Sequence, residues 1–230
     1  MIKVAPEGWP FIVPGLCLAA VGMGLAALAP EANSALRIGA WAGAGFFGIL
    51  TLFTVFFFRN PARQRRDADG LVLAPADGRI VEIKPVEEPS FFEGPATRIS
   101  IFLSVFNVHI QRAPITGRIG LRAFKPGGFA AAWNPRASTE NEQSTLGITA
   151  GSHRVMVRQI AGLVARRIVT DPEEEDLVPQ GSRIGLIRFG SRVDLFLPPD
   201  WELTCQVGDR TKGGLTDIAR VPRDPVGGGP

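Results

Sequence analysis

The strongest constraint in this sequence is a pair of long runs that carry almost no charge. Among 25 basic and 22 acidic residues in 230, only Glu31 and Arg37 lie between Pro10 and Phe58. The runs, Phe11 to Ala29 and Ile38 to Phe58, each approach the ~20 apolar residues a helix needs to cross a hydrocarbon core. The polar stretch from Pro30 to Ser34 separates them. A cleaved signal peptide accounts for the first run only, because a second follows at once in place of a soluble domain. A hairpin buried in a soluble protein is the other reading, but too little chain follows to cover two such helices. The sequence therefore predicts two transmembrane helices, at about 11–29 and 38–58.

Charge placement orients this hairpin. Arg59, Arg63, Arg65 and Arg66 follow the second run directly, against the single Arg37 in the connecting loop. By the positive-inside rule both ends face the cytoplasm. The same arginines would attract anionic headgroups, at roughly 1 kcal/mol each. The formal charge of +3 owes much to this cluster, so nucleic-acid binding has little support. Cys17 and Cys205 cannot build a disulfide framework. With His109 and His153 as the only histidines, no metal centre is expected.

After Asp67 the pattern changes to short runs with period-two alternation, punctuated by Gly and Pro, which reads as strands. Strands are expected at 71–73, 79–83, 98–103, 118–124, 154–160, 183–188 and 193–197. The expected class is α+β: a β-rich soluble domain, barrel-like or sandwich-like so as to dispose of its edges, preceded by the transmembrane hairpin. Residues 161–169 make the best helical piece, although Gly162 weakens it. Residues 126–143 read as a long loop, and the acidic run from Asp171 to Asp176 as a solvated connection. The Gly127-Gly128 pair reads as a plain turn, with a phosphate-binding nest as the alternative.

Gly-Ser occurs three times, at 151–152, 181–182 and 190–191, and each alone is only a turn signal. The third lies between two alternating runs, where a sheet on either side can impose backbone strain. Together with Pro75-Ala76-Asp77-Gly78, Asn107-Val108-His109-Ile110 and Asn141-Glu142, the tetrapeptide Phe189-Gly190-Ser191-Arg192 resembles the phosphatidylserine decarboxylase family, specifically its compact bacterial branch. The four motifs fall in matching order over roughly residues 67–219.

That resemblance implies a proenzyme that cuts itself between Gly190 and Ser191. The Ser191 hydroxyl would attack the Gly190 carbonyl, and elimination and hydrolysis would convert Ser191 to a pyruvoyl cofactor. Its carbonyl would serve as electron sink for decarboxylation of phosphatidylserine to phosphatidylethanolamine. Residue types agree with this chemistry. Glycine, lacking Cβ, lets a hydroxyl approach its carbonyl, and a serine needs a base that an acid orients. The resemblance assigns these catalytic roles to His109 and Asp77, completing a set with Ser191. Read without it, His109 is a packed strand histidine and Asp77 part of an Asp-Gly turn. Two departures stand out. Longer family members often carry a second histidine where this chain has Phe106, and many have Thr where it has Arg192.

The domain plan is thus a membrane anchor over 1–66 with its basic juxtamembrane segment, a catalytic domain over 67–221 and a disordered tail over 222–230. The implied partners are phosphatidylserine in the membrane, the two cleavage fragments held to each other, and a second copy in a homodimer. The implied location is the bacterial cytoplasmic membrane, with the catalytic domain on its cytoplasmic face. His153 reads as a surface or strand-end residue rather than a second centre, and Asn141 and Glu142 as loop-tying residues. Two alternatives stay open: a pyruvoyl-dependent decarboxylase of a soluble amino acid, and a non-enzymatic, lipoyl-like binding module tethered to a membrane.

Overall fold

A computed structural model describes residues 3–31, 33–63, 70–128, 140–162, 167–188 and 191–222. The chain divides into two compact units, residues 1–62 and 63–230. Of the tail expected to be disordered over 222–230, the residues from 223 on lie outside the described residues.

In the first unit a short strand β1 (Lys3–Val4) leads into helix α1 (Trp9–Leu28), which α2 (Ser34–Phe57) follows. Strand β2 (Arg59–Asn60) pairs antiparallel with β1, so the two ends of the hairpin are tied together. Asn33 caps α2 by accepting the Leu36 amide at 3.1 Å. The helices touch through small residues: a Cβ added at Gly15 would sit 2.3 Å from Thr51 Oγ1, and one at Gly22 would sit 3.0 Å from Ala44. Close approach through such residues is how apolar helices pack where no hydrophobic effect draws them together. Their other faces stay open, with Trp9, Phe11, Leu16, Val21, Leu25, Trp41, Phe46 and Leu52 all exposed. That is far more apolar surface than water tolerates on a soluble protein. Both helices are long and apolar enough to cross a membrane.

The second unit is β-rich, and its strand pairs among the described residues are antiparallel. Its strands are β3 (Leu71–Leu73), β4 (Gly78–Glu88), β5 (Gly94–Leu103), β6 (Ile110–Arg112), β7 (Gly117–Lys125), β8 (Gln143–Ala150), β9 (His153–Ala161), β10 (Ile168–Thr170), β11 (Leu177–Val178), β12 (Arg183–Ile187), β13 (Ser191–Leu197), β14 (Arg210–Thr211) and β15 (Asp217–Arg220). Eight of them form one sheet in the order β11-β7-β8-β9-β13-β5-β4-β14, with register shifts in β4 and β7. Such irregularities bend a strand and increase its twist, and the sheet curls into a half-barrel. A three-stranded sheet β10-β12-β6 and the pair β15-β3 complete the unit. The α+β class expected from the sequence is the class observed.

The concave face holds the core, which includes Val72, Ile80, Ile99, Ile101, Leu103, Ile119, Leu146, Ile148, Val193, Leu195 and Leu197. All seven expected strands are present. The helix expected over 161–169 is not formed across that run: Ala161 ends β9 and Ile168 opens β10, while 163–166 lie outside the described residues. Sheet pairing claims the two ends of the run, Ala161 against Ser191 and Ile168 against Ile187. The loop expected over 126–143 holds in part. Gly128 bridges to Asn141 before β8 begins, and 129–139 are outside the described residues.

Candidate active site

Asp77 precedes β4 at a bend. A Cβ at the following glycine, Gly78, would lie 2.3 Å from the Phe102 carbonyl, so only glycine lets the chain run this close to β5. The Asp77 carboxylate is nearly buried. It takes both Nη groups of Arg63, one of them at 2.9 Å, and the Gly213 amide at 2.8 Å. Arg63 also donates to the Gly213 carbonyl at 2.9 Å. A bidentate guanidinium–carboxylate pair with further hydrogen bonds is the geometry in which burial of both charges is compensated. Nearby Arg112 donates to the Gly181 carbonyl at 2.9 Å. Burial, and then repulsion from Arg63, push its pKa down, with Asp77 pulling the other way.

His109 stands at the entry to β6 and is fully buried. Its Nδ1 lies 3.0 Å from the Asn107 carbonyl, and Asn107 Oδ1 accepts both the amide and the hydroxyl of Ser104 at 2.9 and 2.8 Å. A ring that donates Nδ1–H to a carbonyl keeps its basic nitrogen at Nε2. The His109 main chain is held as firmly. Its carbonyl accepts the Ile187 amide at 3.3 Å and the Gln111 side-chain amide at 3.0 Å. From Gln111 a buried polar chain continues to Gln159 at 2.9 Å, to Thr170 at 3.1 Å and to Ser144 at 2.6 Å. The members of such a network orient one another. It crosses from the three-stranded sheet to the eight-stranded one.

Ser191 opens β13, in register with Leu103 at the end of β5 and Ala161 at the end of β9. Phe189 and Gly190 lie outside the described residues. Strand β12 belongs to the small sheet and β13 to the large one, so the chain changes sheets between Ile187 and Ser191. Both ends of that passage are fixed. Ile187 is bonded to His109, and the Ala161 beside Ser191 donates its amide to Glu142 O at 3.0 Å and accepts Asn141 Nδ2 at 2.7 Å. Asn141 is completely buried, so the Asn-Glu motif ties the loop before β8 to the strand end next to residue 191.

Several of these contributors carry no local signal in the sequence. Arg63 reads there as a membrane-flanking charge, yet its carboxylate partner is Asp77 and its carbonyl partner is Gly213, 150 positions away. Gln111 and Gln159 read as ordinary strand polar residues, and the alternation of β6 and β9 offered the only hint of their direction. Arg192 is buried, donating to Asp194 at 2.7 and 2.9 Å and to Ser100 at 2.9 Å. It therefore turns away from the face that Val193 and Leu195 give to the core. His153 starts β9 and packs edge-on against Trp201, with ring centroids 5.6 Å apart. The acidic run 171–176 is largely exposed, with Asp171 paired to Arg183 and Glu173 to Arg122.

Comparison with known proteins gives this geometry a family. The model of the phosphatidylserine decarboxylase family matches residues 50–219. The chain is 44% identical over 221 residues to a phosphatidylserine decarboxylase proenzyme of Symbiobacterium thermophilum, covering 96% of each chain. It is likewise 44% identical to the proenzyme of Geotalea uraniireducens, covering 95% of this chain and 97% of that one. With the Salinibacter ruber proenzyme the identity is 43% over 200 residues, 83% of this chain and 87% of the other. The chain is a decarboxylase and belongs to the phosphatidylserine decarboxylase family.

Proposed function

We propose that this enzyme decarboxylates phosphatidylserine to phosphatidylethanolamine, using a pyruvoyl group that it makes from Ser191 by cutting its own chain after Gly190. The observation that carries the reading is the convergence at residue 191: the backbone there is pinned between Leu103 and Ala161, and His109 is bonded to Ile187 just upstream. In the cleavage step the Ser191 hydroxyl gives its proton to His109 Nε2 and its oxygen joins the Gly190 carbonyl carbon. The peptide C–N bond breaks, the serine nitrogen takes the proton, and an ester links the two pieces. Loss of the Cα proton then expels the Gly190 carboxylate and leaves dehydroalanine, which takes up water and releases ammonia.

His109 acts as the base, its ring oriented by the Asn107 carbonyl. Asp77 is the acid that the family resemblance assigns to orienting His109; its carboxylate is bonded to Arg63 and the Gly213 amide, which fixes a negative charge on the loop before β4. The residues fit a pyruvoyl group at 191. Leu103 and Ala161, which pair with that position, and His109, bonded to Ile187 upstream, have no exposed surface, and a dry site protects a reactive carbonyl. When formed, that group supplies an electron sink for the electrons released with carbon dioxide. His109 is also the proton donor to the product carbon.

The C-terminal piece would stay bound after cleavage, because β13, β14 and β15 each pair with strands from before residue 190. The arginines at 59, 63, 65 and 66 put the catalytic unit on the cytoplasmic face of the bacterial membrane. Two copies forming a homodimer are part of the same family-based reading.

Ser191→Ala is the direct test. On a denaturing gel the parent should run as two fragments, the smaller blocked by pyruvoyl in mass spectra, and the variant as one inactive band. An intact, pyruvoyl-free parent that still releases carbon dioxide would overturn the reading. Assay on phosphatidylserine vesicles against free serine tests the soluble-substrate alternative, which the two membrane-length helices disfavour.

A further inference from the structure

Beside the candidate catalytic residues lies an open cavity of about 320 Å³ lined by Gly78, Arg79, Phe102, Ser104, Asn107 and Arg210. Arg79 and Arg210 stand directly opposite each other on β4 and β14. Both are exposed, and neither guanidinium has a hydrogen-bond or ion-pair partner among the described residues. Like charges set directly across an antiparallel pair repel, so this register is unfavourable unless an anion lies between them. Among the described residues, no carboxylate lines the cavity. The acid next in sequence, Asp209, accepts the Gln206 amide at 2.9 Å.

Asn107 supplies a third donor. Its Oδ1 is occupied by two hydrogen bonds from Ser104, which fixes the orientation of the amide and leaves its NH₂ to donate. The cavity is thus walled by hydrogen-bond donors and positive charge. It also adjoins both catalytic elements, since Gly78 follows Asp77 and the Asn107 carbonyl holds the His109 ring. On the same loop as Ser104 and Asn107, Val105 is 39% and Phe106 68% exposed, an apolar tip beside a cationic pocket.

We infer that Arg79, Arg210 and Asn107 form the binding site for the phosphodiester of the lipid substrate, with Val105 and Phe106 entering the adjoining apolar layer of the bilayer. This rests on the proposed phosphatidylserine reading. The substrate headgroup carries two anions, and chemistry chooses between them. A carboxylate held by two guanidiniums would be stabilised in the ground state, against the loss of charge that its departure as carbon dioxide requires. The phosphodiester keeps its charge throughout, and paired guanidiniums match its oxygens. Clamping it supplies the same binding energy before and during the reaction, which lowers KM and leaves kcat unchanged.

The test uses the full-length chain in detergent micelles, and the probe is glycerophosphoethanolamine, a headgroup with no carboxylate to lose. Calorimetric titration should show it binding the parent at least about tenfold more tightly than ethanolamine or inorganic phosphate, and R79Q/R210Q should lose about tenfold of that affinity. In phosphatidylserine mixed micelles the same variant should show KM raised by a similar factor with kcat within about twofold. Equal affinity of parent and variant for the probe overturns the site. Inorganic phosphate binding as tightly as the probe makes it a free-phosphate site, which overturns the headgroup assignment. The titration reads the pocket whether or not the chain is cut, so an uncut, pyruvoyl-free parent would defeat the proposed function without deciding this one.

Discussion

At the scale of single residues, the site depends on side chains whose roles come from what holds them. His109 is one of two histidines in the chain, and burial, the Asn107 carbonyl and the Gln111 amide fix its ring and its main chain. A base so placed is worth about 10² to 10⁴ in rate. His109→Ala should therefore slow self-cleavage at least about a hundredfold, followed as loss of the uncut band with time. His109→Gln, which keeps most of the volume, should be as slow while melting close to the parent. A His109→Gln chain that is cut at the parent rate would remove His109 from the base role. The resemblance singled out Asp77, His109 and Ser191 from short motifs. What it could not supply was Arg63, because an ion pair spanning 14 positions and a carbonyl contact spanning 150 have no local signature.

At the scale of elements, the hairpin joining β4 to β5 shows how a carboxylate can shape a turn. Glu88 accepts the amides of Ser90, Phe91 and Phe92 at 3.1, 2.8 and 3.2 Å, and Arg158 approaches at 3.4 Å. The turn carries Phe91 and Phe92 against Ala96, Met156 and Phe196 on the convex face of the sheet. Burial raises the Glu88 pKa, but the hydrogen bonds from Ser90, Phe91 and Phe92 outweigh it and leave it below the ordinary 4.5. A carboxyl depressed on folding contributes stability that is complete above its unfolded pKa and drains as pH falls through the folded one. Glu88→Gln should thus cost about 1–3 kcal/mol at neutral pH. Its stability should also fall less steeply than that of the parent below about pH 4.5, measured by denaturant titration across pH. An unchanged acid profile would show that Glu88 is not the group responsible. Arg192 and Asp194, the alternating polar residues of β13, are buried beside this layer.

At the scale of the whole molecule, the division at Ala62 and Arg63 separates an apolar hairpin from a β-rich unit with a core of its own. All the candidate site residues, Arg63 included, belong to the second unit. Removing residues 1–62 should therefore leave self-cleavage at the parent rate while cutting co-sedimentation with phosphatidylserine vesicles at least about tenfold. An uncleaved product would mean that the hairpin contributes to the catalytic fold. Within the β-rich unit the three strands after residue 190 are spread across two sheets, and this interleaving is what would keep two fragments together.

Sequence alone determined whatever rests on local periodicity and composition: two membrane-length helices, seven strands and their α+β class, and a Gly-Ser bond flanked by alternation. Those properties are written in neighbouring residues, whose side chains must suit one face or one solvent. Only the tertiary structure decided that Ala161 ends one strand and Ile168 opens another, that Arg63 serves Asp77, and that Asn141 secures the strand beside Ser191. It also set Arg79 against Arg210. Each of these is a pairing between distant segments, fixed by sheet register and by the need to satisfy buried polar groups, and no local pattern encodes a register.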